Sequence, residues 1–354
     1  MARLVFWRLV RTTLAVWALA SVVFLVSHHH LNTALQLTLA GGAEQPLHQS
    51  ASPAEQQAAQ QALRQRLGLD VPLFYISRQD GAGAQSEWQW NGLRNQYHRW
   101  LAGLVHGSLG TSFRTGEAVT VRLRQALVFT LPLTGTAAAL AVLLAVLLAQ
   151  RLAARPRWGP AVRVALTTMH ALPLFVVALL LLLLFANPDV LAWFPSYGLD
   201  QPAYASGDVW NRWLTYSLHF VLPATALALS AIPELTLQLD AALTHELHSD
   251  YATTARAKGL TEAAVIWRHA LRNAVLPALV YLAELLPALV AGAVVVEVVF
   301  ALPGMGRLLA QAAAARDYPV LVGGVLLVGA ARLLALLLTD VLSFWADPRI
   351  RWQS

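Results

Sequence analysis

From Leu127 to Ala149 the chain carries no charged residue. A helix needs roughly 20 apolar residues to cross a bilayer, and five further stretches have that length and character. They run from 6 to 26, 161 to 186, 217 to 239, 274 to 300 and 320 to 344. Six transmembrane helices are therefore expected, in an all-α membrane protein. Pro223, Pro233, Pro277 and Pro287 lie inside these stretches. Prolines are tolerable there, because neighbouring helices can satisfy the carbonyls they free.

Composition supports this and excludes other classes. Of 354 residues, 57% are hydrophobic and 12% charged. Soluble proteins run at about 45–50% apolar and about 25% charged, and disorder needs still fewer apolar residues. There is no cysteine, hence no disulfide framework, thiolate site or cysteine nucleophile. The excess of 25 Lys+Arg over 19 Asp+Glu reads as basic loops on the cytoplasmic side rather than nucleic-acid binding. The first stretch, entered through Arg3, Arg8 and Arg11, is long for a signal sequence and no A-x-A site follows it. An uncleaved anchor is expected.

Short loops orient the chain. With the N-terminus in the cytoplasm, thirteen basic residues fall inside: Arg3, Arg8, Arg11, Arg151, Arg155, Arg157, Arg163, Arg256, Lys258, Arg268, Arg272, Arg349 and Arg351. Arg212, Arg307 and Arg316 fall outside. Both termini are expected inside. The segments are then the N-terminal helix (1–26), an extracytoplasmic loop region (27–126), a core of helices two to six (127–344) and a cytoplasmic tail (345–354). Trp193, Phe194, Tyr197, Trp210, Trp213, Tyr216, Phe344 and Trp345 flank the spans, as headgroup-level aromatic rings do.

In the long outer loop, residues 53–67 predict a helix stopped by Gly68, and 80–89 a flexible excursion. Residues 91–105 predict another helix, striped by Leu93, Tyr97, Trp100 and Leu104. Such a loop suits partner docking better than catalysis. The inner loop 241–273 is polar and helix-forming, broken at Gly259. Thr261 can cap a second short helix, with Arg268 and Arg272 near its end. An ordered, bent helix pair suggests a fitted partner; the bland alternative is a solvated hairpin.

Chemistry is conspicuously missing. The single lysine, Lys258, is followed by Gly259, so no Gly-Lys-Ser/Thr loop exists. His245-Glu246-x-His248 falls one residue short of the zinc-protease spacing. Gly110-Thr111-Ser112-Phe113-Arg114 misses the last glycine of a nucleophile elbow. The run His28–His30 reads as interfacial. Charges inside spans are costly and mark a path or a pairing. Glu284, Glu234 and His170 are candidates for a translocation path, whereas Glu297 is expected at headgroup level.

The stretch Asp250-Tyr251-Ala252-Thr253-Thr254-Ala255-Arg256-Ala257-Lys258-Gly259-Leu260, followed by Arg268-His269-Ala270-Leu271-Arg272-Asn273 and Leu276-Pro277, resembles the coupling loop of ABC importer permeases. It is most similar to the dipeptide/oligopeptide/nickel branch. Leu67–Asp70 with Pro72-Leu73, Gly107–Phe113, Glu297–Phe300, Pro303–Arg307, Ala315–Pro319 and Asp347–Arg349 resemble that branch's other motifs, over nearly the whole chain. Residues 77–96 look inserted.

The resemblance implies a type I importer permease fold and a non-enzymatic chain that binds no cofactor, with ATP and Mg on partner subunits. It implies a second related permease, two cytoplasmic ATPase subunits and an extracytoplasmic binding protein that delivers peptide or a related solute, with no nucleic acid involved. Thr253, Thr254, Ala255, Arg256, Lys258, Gly259, Leu260 and Arg268 would form the ATPase-coupling loop. The rival reading is an ion- or proton-coupled secondary transporter or channel, using Glu234 or Glu284.

Overall fold

The computed structural model describes residues 2–39, 71–80, 86–154, 157–195 and 209–346. Helices dominate. Three are long and apolar enough to cross a membrane among the described residues: 119–153, 217–247 and 318–335. A fourth candidate is a bent pair, and 9–25 and 287–299 are shorter apolar segments. The helix predicted over 53–67 lies outside the described residues.

The chain divides into two compact units. The first contains residues 1–124 and 311–327. Its α1, Ala2–Leu39, extends well past both ends of the predicted span 6–26. The expected flexible excursion is instead a hairpin: β1, Ile76–Asp80, pairs antiparallel with β2, Ser86–Trp90. The register Ile76↔Trp90, Ser77↔Gln89, Arg78↔Trp88 sets Ile76, Trp88 and Trp90 at positions of one face. The period of two over this stretch was the overlooked signal. The all-α expectation is corrected to that extent.

The next helix, α2, Gln96–Val105, begins five residues later than expected, because Asn95 accepts the His98 N–H at 2.7 Å and caps it. Leu93 therefore lies outside the helix and is exposed. Tyr97 is buried against Phe24 of α1, ring centroids 5.6 Å apart. Trp100 stacks on Phe24 at 4.8 Å.

The second unit contains residues 125–310 and 328–354. It holds most of α3, Val119–Ala153, and all of α4, Gly159–His170, and α5, Leu174–Phe185. Then come α6, Val209–Leu247, α7, Asp250–Ala257, α8, Glu262–Val265, and α9, Leu271–Val299. The last helices are α10, Met305–Ala314, and α11, Tyr318–Ala346. On α3, Leu133, Ala137, Ala141, Ala145 and Ala149 are fully buried. A small side chain every fourth residue lets a neighbouring helix approach closely, as membrane helix contacts require. Leu131 and Leu143, off that stripe, are 59% and 58% exposed.

Along α6 pack α4, α5 and α9. Its stripe of Leu227, Leu235, Leu239 and Leu243 is buried. Arg163 of α4 clasps Asp240 of α6 through two bonds, Nε–Oδ2 at 2.7 Å and Nη2–Oδ1 at 3.2 Å. The predicted third span, 161–186, is not one rod. It bends by 100° between α4 and α5. Pro173 causes this, with extended backbone at φ −60°, ψ 136°. It has no N–H to continue the ladder and disfavours helix at the residue before it.

Candidate functional site

The segment between α6 and α9 is a tight bend held by named bonds. Gly259 carries φ +83°, a left-handed conformation that costs a residue with a Cβ about 1–2 kcal/mol. No atom lies within 4 Å of where its Cβ would be. Glycine serves the backbone here, and a small side chain would meet open space, not a neighbouring helix. Thr261 accepts the Ala264 N–H at 3.3 Å and caps α8 as expected.

Arg256 closes the bend. Its guanidinium donates to Glu262 Oε1 at 2.7 Å and Oε2 at 3.3 Å, and to the Leu247 carbonyl at 2.9 Å. The bonds to Glu262 raise its affinity for its proton still further. One side chain therefore ties the end of α6 to the start of α8. Tyr251 donates to Glu246 at 2.5 Å. Burial first, and that bond second, push its phenol above the ordinary tyrosine value.

The remaining predicted loop residues divide by exposure. Thr253, Thr254, Lys258 and Gly259 are exposed. The threonine hydroxyls bond back to the carbonyls of Ser249 and Asp250. Ala255 is buried and Leu260 half-buried against the core. Arg268 is exposed, but it does not sit at a helix end. The chain from α8 passes through one π turn, Ile266–Ala270, directly into α9. The expected dipole role for Arg268 and Arg272 is thus corrected: the backbone carbonyls there have partners further along the helix. Trp267 on this turn is 57% exposed.

The candidate path residues are not brought together by any contact among the described residues. His170 ends α4 and is exposed, as is Glu234 on α6. Glu284 lies in α9, and its side chain is outside the described ones. Sequence reasoning passed over Arg332. It stands at the middle of the predicted span 320–344, exposed, and enters no ion pair among the described residues. A charge at that depth was the available signal.

Glu297 is enclosed by protein rather than open to a headgroup layer. It is fully buried, where it accepts the Thr130 hydroxyl and the Gly306 N–H at 2.6 Å each and the Arg307 N–H at 3.2 Å. Thr130 in turn accepts the Met305 N–H at 2.8 Å. A helix leaves its first N–H groups without internal partners. Glu297 and Thr130 together satisfy those of Met305, Gly306 and Arg307, so they cap α10. Gly304 and Gly306 are obligatory: a Cβ on Gly304 would overlap the Glu297 carboxylate, and one on Gly306 would overlap Val294.

A second knot lies in the first unit. Asp317, 1% exposed, accepts the Ser112 hydroxyl at 2.5 Å and the Phe113 N–H at 3.0 Å. Arg122 donates to Ser112 at 3.1 Å and to Asp317 at 3.4 Å. Ser112 is thus a buried latch, which removes the nucleophile reading of its motif.

Several long apolar helices with a clamped polar bend between two of them define a helical membrane protein. The family described as "Binding-protein-dependent transport system inner membrane component" matches residues 141–352. The chain belongs to that family, the inner-membrane permease components of ABC transporters, which are transport subunits rather than ATPases. A Brucella ovis protein whose name includes the words peptide permease is 33% identical over 300 residues, covering 83% of this chain and 85% of its own. In Escherichia coli the "Probable D,D-dipeptide transport system permease protein DdpB" is 33% identical over 305 residues, covering 81% of this chain and 83% of its own. The Bacillus subtilis "Oligopeptide transport system permease protein AppB" is 32% identical over 260 residues, covering 73% and 80%.

Proposed function

We propose that this chain is the peptide-translocating permease of an ATP-driven importer, paired with a second related permease. The observation that carries this reading is the clamped bend 250–265, which falls inside the region matched by the transport family. Two cytoplasmic ATPase subunits bind ATP and Mg, and an extracytoplasmic binding protein delivers the peptide. The relatives' names supply the peptide class. The chain crosses the membrane six times with both termini inside, using α1, α3, the α4–α5 pair, α6, α9 and α11.

In this reading Thr253, Thr254, Lys258, Gly259 and Arg268 contact an ATPase surface. Ala255 and Leu260 seat the bend on the core. Arg256 positions it by holding α6 and α8 together. Closure of the ATPase pair moves the bend as a rigid lever, and α6 and α9 carry the motion into the bilayer, switching two packed states. Glu234, Glu284 and His170 belong to the polar path, and Arg332 joins them, because lipid is a costly neighbour for a charge at mid-membrane.

The test is ATPase stimulation by peptide-loaded binding protein in the reconstituted complex. Gly259→Glu is expected to abolish stimulation while basal hydrolysis and complex yield persist. Stimulation at the wild-type level in that variant would overturn the coupling role. Failure of any ATPase to copurify with the tagged chain would overturn the importer reading itself.

A further inference from the structure

The hairpin formed by β1 and β2 presents an exposed aromatic face. Trp88 is 74% exposed, Trp90 67% and Ile76 47%. Ile76 and Trp90 are cross-strand partners, and Trp88, two residues from Trp90, shares their side of the strand. Ser77 and Gln89 pair on the other side. Two large indoles held out in water are costly, so something covers them.

The root of the hairpin shows at what level it stands. Trp90 stacks on Tyr75 at 5.9 Å, and the Asn91 N–H donates to the Tyr75 carbonyl at 2.8 Å. Tyr75 sets its ring edge-on to Tyr97 at 6.0 Å. Tyr97 meets Phe24 of α1 at 5.6 Å, and its hydroxyl shares a 2.7 Å bond with Ser21. Ser21 and Phe24 lie in the last turns of the apolar stretch 6–26. An unbroken chain of rings therefore links Trp90 to the outer end of the apolar stretch of α1. That end marks the headgroup layer, the environment tryptophan prefers.

We propose that the hairpin is a lipid-surface anchor, laying Trp88, Trp90 and Ile76 into the headgroup region of the outer leaflet beside α1. This rests on the reading of α1 as a span with its C-terminal end outside. A binding-protein dock is the competing use; the register also pairs Arg78 with Trp88, a neighbour that suits either partner, and the depth of the root decides for lipid. Anchored so, the hairpin braces the outer loop against the membrane.

The chain has no cysteine, so single cysteines can be labelled uniquely. Nitroxides at Trp88→Cys, Gln89→Cys and Val22→Cys are placed in the assembled importer in phosphatidylethanolamine/phosphatidylglycerol nanodiscs, with cysteine-free partner subunits. Collision with lipid-soluble oxygen is compared with collision with a water-soluble nickel chelate. The oxygen-to-nickel ratio is expected to be several-fold higher at 88 than at 89, without binding protein present. Equal ratios at 88 and 89 would overturn the anchor. Nickel protection at 88 appearing only when binding protein is added would overturn it too, in favour of docking. The label at Val22, on the exposed side of α1, tests the underlying span: high nickel access there removes the premise, whereas lipid access at 22 with water access at 88 rejects the anchor alone.

Discussion

Replacing Glu297 with alanine should uncap α10 from within. The carboxylate accepts three donors in a fully buried position: the Thr130 hydroxyl, the Gly306 N–H and the Arg307 N–H. A buried donor left without a partner costs about 1–3 kcal/mol. Water admitted to the vacated volume offsets part of that, so a loss of about 3–5 kcal/mol is expected. For a chain of 354 residues about 1 kcal/mol moves Tm by roughly 1.3 °C, which predicts a fall of about 4–7 °C in the purified complex. Thr130→Val removes a hydroxyl that both donates to Glu297 and accepts from Met305. The two changes share one network, so their effects should be non-additive by about 1–3 kcal/mol in a double-mutant cycle. Glutamine should rescue much of the loss, because its carbonyl oxygen can keep both N–H donors while its NH2 faces the Thr130 hydroxyl, which can accept. A Tm within about 1 °C of wild type for Glu297→Ala, or strict additivity with Thr130→Val, would refute the capping argument.

Asp317→Ala strands the buried Ser112 hydroxyl and removes the acceptor from Phe113; hydrogen exchange over residues 110–119 should accelerate, with a loss of about 3 kcal/mol, and unchanged protection would sink the latch. Gly259→Ala should destabilise the bend by about 1–2 kcal/mol, and Gly259→Asn by less because asparagine tolerates the left-handed region; exchange rates over 250–265 rank the two. Tyr251 should ionise above the ordinary tyrosine value, since burial and Glu246 favour its neutral form. Its contribution to stability is thus present below the unfolded value of about 10 and lost as pH rises through the folded one, so the difference titration against Tyr251→Phe at 295 nm should show a midpoint above about 10.

The bend between α6 and α9 was legible residue by residue. Gly259 and Thr261 act through their own backbone and the next few residues, so their roles follow from local chemistry. The hairpin was missed because a five-residue strand gives a weak alternation, easily outweighed by the glycines and polar residues of 80–89. The extent of α8 was misjudged for a related reason. A π turn has no distinct composition, and nothing in Arg268 or Arg272 distinguishes a helix end from a helix interior.

By itself the sequence determined that this chain lives in a membrane, where its apolar stretches begin and end, and which polar segment turns back between them. Those are consequences of length and of neighbours within a few residues, and the physics involved is local. Only the tertiary structure decided what Glu297 and Ser112 are for. Glu297 meets Thr130 across 167 residues, and Ser112 meets Asp317 across 205. Arg163 finds Asp240 across 77. Each is a polar group whose burial costs free energy until its partner arrives, and that partner is set by helix packing, which no local pattern records.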